Sequence, residues 1–203
     1  LMDNDRRKIE LMNSLLLSFP GTPIIYYGDE IGMGDNIYLG DRNGVRTPMQ
    51  WTGERNAGFS QGDTAALYAP LIADNPYSYH AVNVEAQERF PSSLLHWMRS
   101  LIRVRKEHKA FGRGTWEALP AENKRVLVFI RQYENNTLLC VNNLSRYTQY
   151  TEVDLSRLIG CSPIELFSEG PFPPITERPY LLTLPPYAFL WFRLLKTEKA
   201  QEM

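Results

Sequence analysis

The apolar and polar positions divide the chain into three regimes. Over residues 3–19, Ile9, Met12, Leu16 and Phe19 recur at helical spacing, with Leu11 and Leu15 widening the stripe. This predicts an amphipathic helix with Asp3 and Asp5 at its positive end and Pro20-Gly21 as its stop. Ile24-Ile25-Tyr26-Tyr27 is apolar throughout, which predicts a short strand buried on both faces, opened by Pro23 and stopped by Gly28. Asp29-Glu30 follow at once. Residues 34–91 lose all period and are rich in Gly, Pro, Asn and Asp. They predict a long functional loop with short helical pieces, one at 64–68. The helical period returns over 92–108, with Ser92 as cap, Leu94, Leu95, Met98, Leu101, Ile102 and Val104 as the buried stripe, and Phe111-Gly112 as the close.

Beyond Gly112 the period becomes two. Runs at 126–133 and 137–141, joined by Glu134-Asn135-Asn136, predict a hairpin. Further runs at 149–153, 163–167, 180–184 and 187–194 predict an antiparallel β-sandwich. The expected fold class is α/β followed by all-β, with boundaries at 1–112 and 113–195 and a frayed polar tail at 196–203.

Two motifs carry a resemblance. Gly21-Thr22-Pro23-Ile24-Ile25-Tyr26-Tyr27-Gly28-Asp29-Glu30-Ile31-Gly32-Met33 resembles the eighth barrel strand of glycoside hydrolase family 13, the α-amylase family. Gly40-Asp41-Arg42-Asn43-Gly44-Val45-Arg46-Thr47-Pro48-Met49-Gln50-Trp51 narrows the match to its α-glucosidase-like and trehalose synthase branches. The short spacing between Gly32-Met33 and Arg46-Thr47-Pro48-Met49 resembles the latter, the maltose α-D-glucosyltransferases. Asn83-Val84-Glu85-Ala86-Gln87 and Leu184-Pro185-Pro186-Tyr187-Ala188-Phe189-Leu190-Trp191 extend the likeness to the eighth helix and to the last strand of the C-terminal domain.

The resemblance implies the last part of a (β/α)₈ TIM barrel: helix 7, strand 8, a long loop and helix 8, followed by the sandwich. A whole barrel takes roughly 250 residues, so 203 residues opening on Leu1 read as the C-terminal fragment of a longer enzyme. The implied activity is interconversion of maltose and trehalose with retention, through a glucosyl-enzyme, with glucose as the released species. An α-glucosidase-like hydrolase and a non-catalytic sugar-binding or structural module remain as alternatives.

Retaining cleavage needs two carboxyl groups about 5–5.5 Å apart. The motifs that carry them in the family do not occur here, so no catalytic residue is assigned. Asp29 and Glu30, adjacent on the chain, read as a capped turn. The implied substrate-binding residues are Arg42, whose planar fork suits adjacent sugar hydroxyls, with Asp41 beside it and Arg46 supporting the loop. Tyr38 and Trp51 are candidate sugar-stacking rings, and Tyr26 reads as core.

Asp29, Asp35 and Asp41 lack the alternation of a calcium loop, and His80, His96 and His108 stand singly. No metal or cofactor is expected on this stretch; the family's calcium sites belong to its N-terminal part. Net charge is −1, without a basic stripe, which argues against nucleic acid. No apolar run reaches the ~20 residues of a membrane span. Cys140 and Cys161 sit in apolar contexts and read as buried free thiols, fitting a reducing cytoplasm. The expected partners are the N-terminal barrel part of the same enzyme and its sugars; homo-oligomers are compatible with this reading.

Overall fold

The structure, a computed structural model, describes Met2 and residues 4–196. The chain falls into two units, one comprising Leu1–Pro23 with Leu101–Met203, the other Ile24–Ser100. Asp3 and residues 197–203, and with them the helix-dipole role of Asp3 and most of the expected tail, lie outside the described residues. Lys196 does not fray; it is the last residue of a strand.

In the first unit, helix α1 (Arg6–Ser18) starts at Asp5, whose carboxylate accepts the Arg7 N–H at 3.0 Å. Its buried face is not the expected stripe. Leu11, Ser14, Leu17 and Ser18 are buried, while Met12, Leu16 and Phe19 are exposed. The serines fit there because their hydroxyls are satisfied within the helix, Ser14 Oγ donating to the Leu11 carbonyl and Ser18 Oγ to that of Ser14.

Helix α3 (Leu94–Glu107) is capped one residue later than expected, the Ser93 carbonyl accepting from the Trp97 N–H at 3.1 Å. Phe111-Gly112 does not close it. His108 turns to extended backbone, and a separate helix α4 (Lys109–Arg113) restarts. That restart drives the fully buried Phe111 ring to within 4.5 Å of Trp191.

The remaining residues build an antiparallel five-stranded sheet, ordered β1 (Thr115–Leu119), β2 (Val126–Tyr133), β3 (Asn136–Asn143), β7 (Phe189–Lys196), β5 (Cys161–Glu165). Strands β4 (Gln149–Val153) and β6 (Tyr180–Leu184) form a second sheet. Between them, Val128, Ile130, Leu139, Val141 and Phe192 pack with Val153, Leu182 and Leu184. The β2–β3 hairpin turns through Glu134 at φ 51°, and β4 and β6 match their predicted runs. Strand β3 is longer at both ends than its run at 137–141, and β5 and β7 are shifted. Strand β5 stops at Glu165 because its carboxylate turns back to accept the Phe167 and Ser168 N–H groups. Strand β7 starts at Phe189 because Tyr187 lies in a turn at φ 56°. Both cysteines are unpaired and buried.

The second unit contains no strand among its described residues. Ile24, Ile25 and Tyr26 take no regular structure and Tyr27 opens a turn, and Ile24 is 80% exposed. A strand exists through its ladder, and both sheets are built from residues after 114. The long loop holds short turns at Asp29–Ile31, Asp41–Arg46, Arg55–Gly58 and Thr64–Ala66, then helix α2 (Val84–Glu88) capped by Asn83. Side-chain amides order it. Gln50 donates to the carbonyls of Tyr77 and Val82, Asn56 to those of Ser60 and Gly62, Asn83 to Tyr79, and Gln87 to Ile31. Ile31, Met49 and Leu95 form its small apolar core. No helix among the described residues is long and apolar enough to cross a membrane.

Candidate functional site

The 24–27 segment ends in a turn that consumes both neighbouring carboxylates. Asp29 Oδ2 accepts the Tyr26 N–H at 2.9 Å, and Glu30 Oε2 accepts the Gly28 N–H at 2.8 Å. Gly28 itself, at φ 94°, leaves no room for a side chain, since a Cβ would stand 2.7 Å from Met33 Sδ. The pair therefore shapes a turn, as expected from its adjacency.

Asp41, Arg42 and Arg46 are brought together in one six-residue 3₁₀ turn, Asp41–Arg46. Its closure is a backbone bond from the Asn36 N–H to the Gly44 carbonyl, 3.1 Å. Gly44 is buried at the base of the turn, and a Cβ there would stand 1.8 Å from Asp35 Oδ1 and 2.8 Å from the Asn36 carbonyl. Asp41 takes a left-handed φ of 55°. The result lifts two side chains into solvent: Arg42 and Asp41 are 70% and 76% exposed, with Arg42 Nε 3.3 Å from Asp41 Oδ2. An exposed pair of this kind contributes little stability; it restrains the guanidinium while leaving its outer N–H donors free of carbonyl partners. Arg46 is exposed at the end of the turn.

Immediately after it, Thr47, Pro48, Met49 and Gln50 are all buried, which anchors the turn from its C-terminal side. Tyr27 Oη donates to the Thr47 carbonyl at 3.0 Å, tying the 24–27 segment to that anchor. Tyr38 and Trp51 are exposed. Tyr26, expected in the core, is exposed too, since no neighbouring strand covers it among the described residues.

Among the described residues no group of three or more His, Cys, Asp or Glu side chains is placed to hold a metal. His80 is exposed, His96 lies beside Glu88, and His108 is half-buried at the start of α4. Two elements of the site escaped the sequence: the space constraint on Gly44 and the anchoring by Gln50. The only signal for either was its place in a motif.

Two family models match the chain, the first described as Alpha amylase, catalytic domain, over residues 1–114. The chain belongs to the α-amylase family, glycoside hydrolase family 13. The second model, Maltogenic Amylase, C-terminal domain, covers residues 116–191. This family member is 54% identical over 198 residues to a trehalose synthase of Pimelobacter sp. (strain R48), spanning 96% of this chain and 35% of that protein. It is 53% identical over 199 residues to a trehalose synthase of Thermus thermophilus, spanning 98% of this chain and 21% of that one. The chain thus spans only 35% and 21% of the length of these relatives. Among solved structures, it superposes on Bacillus licheniformis trehalose-6-phosphate hydrolase with a TM-score of 0.72 at 22% identity. That match covers 96% of this chain and 40% of the hydrolase. A trehalulose synthase gives the same TM-score at 23% identity, over 95% of this chain and 40% of that one. At these identities the likeness is one of fold: the end of an α-amylase catalytic domain, then an antiparallel C-terminal domain.

Proposed function

We propose that this chain is the C-terminal part of a trehalose synthase, which interconverts maltose and trehalose by moving one glucosyl unit within the active site. The observation that carries this reading is the short Asp41–Arg46 turn joined directly to the buried Thr47-Pro48-Met49-Gln50 anchor. Relatives of that name match at 52–54% identity along nearly the whole chain.

In this reading Arg42 offers its planar fork to adjacent hydroxyls of the transferred glucose, Asp41 restrains that fork, and Arg46 stiffens the turn. Asp29 and Glu30 are committed to backbone N–H groups, so the acid and the nucleophile come from the rest of the barrel, together with any calcium. A glucosyl carboxylate ester forms and is then opened by the released glucose, provided water is kept out. Maltose, trehalose and glucose are the sugars concerned, and the cytoplasm is the compartment.

Product analysis of the full-length enzyme decides the matter. Maltose should give trehalose as the main product, with glucose as the minor one. Glucose alone would establish the α-glucosidase-like hydrolase instead.

A further inference from the structure

The loop that carries Arg42 leaves the fold and rejoins it at one place. On its departing side, the Ile31 carbonyl accepts from Gln87 Nε2 at 2.6 Å. On its returning side, the Gln50 carbonyl accepts the Val84 N–H at 3.0 Å and the Trp51 carbonyl accepts the Glu85 N–H at 2.9 Å. Gln50 Nε2 adds a bond to the Val82 carbonyl at 2.6 Å. All four bonds end on helix α2 or on the residues that lead into it. Ile31 and Met49 also share one apolar cluster with Leu95, and Val82 and Val84 pack against it. Helix α2 thus holds both ends of residues 32–48, and Asp41–Arg46 lie between them.

Gln87 is used from both sides. Its Oε1 accepts the Leu95 N–H at 3.0 Å, one of the first-turn donors of α3 that intrahelical bonds leave without a partner. Donor and acceptor are both engaged, so the amide has one orientation. A five-residue helix does not stand by propensity, and Asn83 stabilises α2 by accepting the Ala86 N–H at 2.7 Å. Inside the loop the bonds are local. Asn36 N–H meets the Gly44 carbonyl at 3.1 Å, Leu39 N–H the Asn36 carbonyl at 3.1 Å, and Asn43 N–H the Gly40 carbonyl at 3.3 Å. These shape the loop, and its two ends place it.

We propose that helix α2 is a clasp for the loop that carries Arg42, and that Gln87 is a positioning residue of the reaction, acting through the Arg42 fork. This rests on the trehalose synthase reading, which sets Arg42 on the transferred glucose. A bidentate fork works only when its two N–H groups are aimed at both acceptors together. A loop anchored at one end swings about that end, and the fork swings with it. Fixing the second end removes this freedom before the sugar arrives, so less order has to be gained on binding. Gln87 supplies the bond on the departing side, and Gln50 holds the other.

The test is a double-mutant cycle in the full-length enzyme, read as kcat/KM for maltose, with urea midpoints measured beside it. Gln87→Met keeps the length of the side chain and loses both bonds. Gln87→Glu keeps the acceptor for Leu95 and sets an oxygen against the Ile31 carbonyl. Each should lower kcat/KM by about fivefold or more in the wild-type background, since a small misplacement of a binding group is costly. In the Arg42→Lys background, where the fork is already gone, each should lower it by less than about twofold. A role in stability alone would lower the urea midpoint and act on the rate equally in both backgrounds. Equal fold-losses in the two backgrounds therefore overturn the proposal. So does an unchanged kcat/KM in the wild-type background, or an Arg42→Lys enzyme with no loss of its own. Where Gln87→Met does not fold, Gln87→Glu decides by the same comparison. A wild type that turns maltose into glucose alone overturns the synthase reading instead, and the cycle is then decided on that hydrolysis.

Discussion

The guanidinium of Arg131, on β2, donates through Nη1 to the carbonyl oxygen of Ser18 at 2.5 Å and so seals the last turn of α1. The side chain is 1% exposed, and its other donors go to the Thr115 and Gly114 carbonyls at 3.0 Å each. Arg105 adds bonds to the Leu17 and Gly21 carbonyls. The final carbonyls of a helix lack partners within it and carry its negative end, so two cations answer both needs. Arg131→Met should lower stability by about 2–4 kcal/mol, because the buried Ser18 carbonyl and two part-buried carbonyls lose their donors. Arg131→Lys should recover only part of this, lacking the fork. Urea unfolding measures it; a loss under about 1 kcal/mol would mean that these bonds are not structural.

The turn that carries Arg42 gives a paired prediction. In the full-length enzyme, Arg42→Lys keeps the charge and loses the fork, and should cut maltose turnover about tenfold or more, roughly 1.4 kcal/mol at the transition state. Gly44→Ala should act in the same direction, because its Cβ forces Asp35 and the Asn36 carbonyl away and opens the turn. Adding Asp35→Ala should restore only part of the rate, since the backbone clash remains. Arg46→Lys should act mainly on melting temperature. Equal turnover in wild type and Arg42→Lys would dissociate this turn from the sugar site.

His108 supplies a pH dependence. Its burial, then the nearby Arg193, lower its pKa below the usual 6.5, while Glu107 opposes them. Its Nδ1 lies 3.3 Å from the Asn136 amide nitrogen, a bond that needs the neutral ring as acceptor. The unfolded chain therefore takes up the proton more readily than the folded one. This contribution to stability is present above pH ~6.5 and is lost as pH falls through the depressed folded value. His108→Asn should flatten that part of the profile. The check is the difference in urea midpoint between variant and wild type across pH 5–8; a constant difference defeats it.

Where segments bury their own pattern, the sequence was legible. The β2–β3 hairpin, β4 and β6 lie where their alternation places them, because both partners of each ladder are present. The Ile24-Ile25-Tyr26-Tyr27 run forms no ladder among the described residues, because a strand needs neighbouring strands and this unit contains none. The α1 stripe was misread because Ser14 and Ser18 look polar, although their hydroxyls are spent inside the helix. Strand β1 went unnoticed since its residues, nearly all exposed, show no alternation. At the site, the motif located Asp41, Arg42 and Arg46, but the anchoring of Gln50 on the Tyr77 and Val82 carbonyls joins positions too far apart in sequence for any local pattern to link.

The amides that order the long loop make its persistence a matter of covalent chemistry. Gln50, Asn56, Asn83 and Gln87 each aim an NH₂ group at a carbonyl oxygen. Hydrolysis to the acid would set a carboxylate oxygen where the donor stood, oxygen against oxygen, with little change of shape. Gln50→Glu imitates that event, and it should lower the melting temperature of this unit; an unchanged value would show that the amide is dispensable. Because no sheet and only short helical turns back up these fastenings among the described residues, each amide hydrolysed would release one of the loop's ties and leave the ladders of the sandwich untouched.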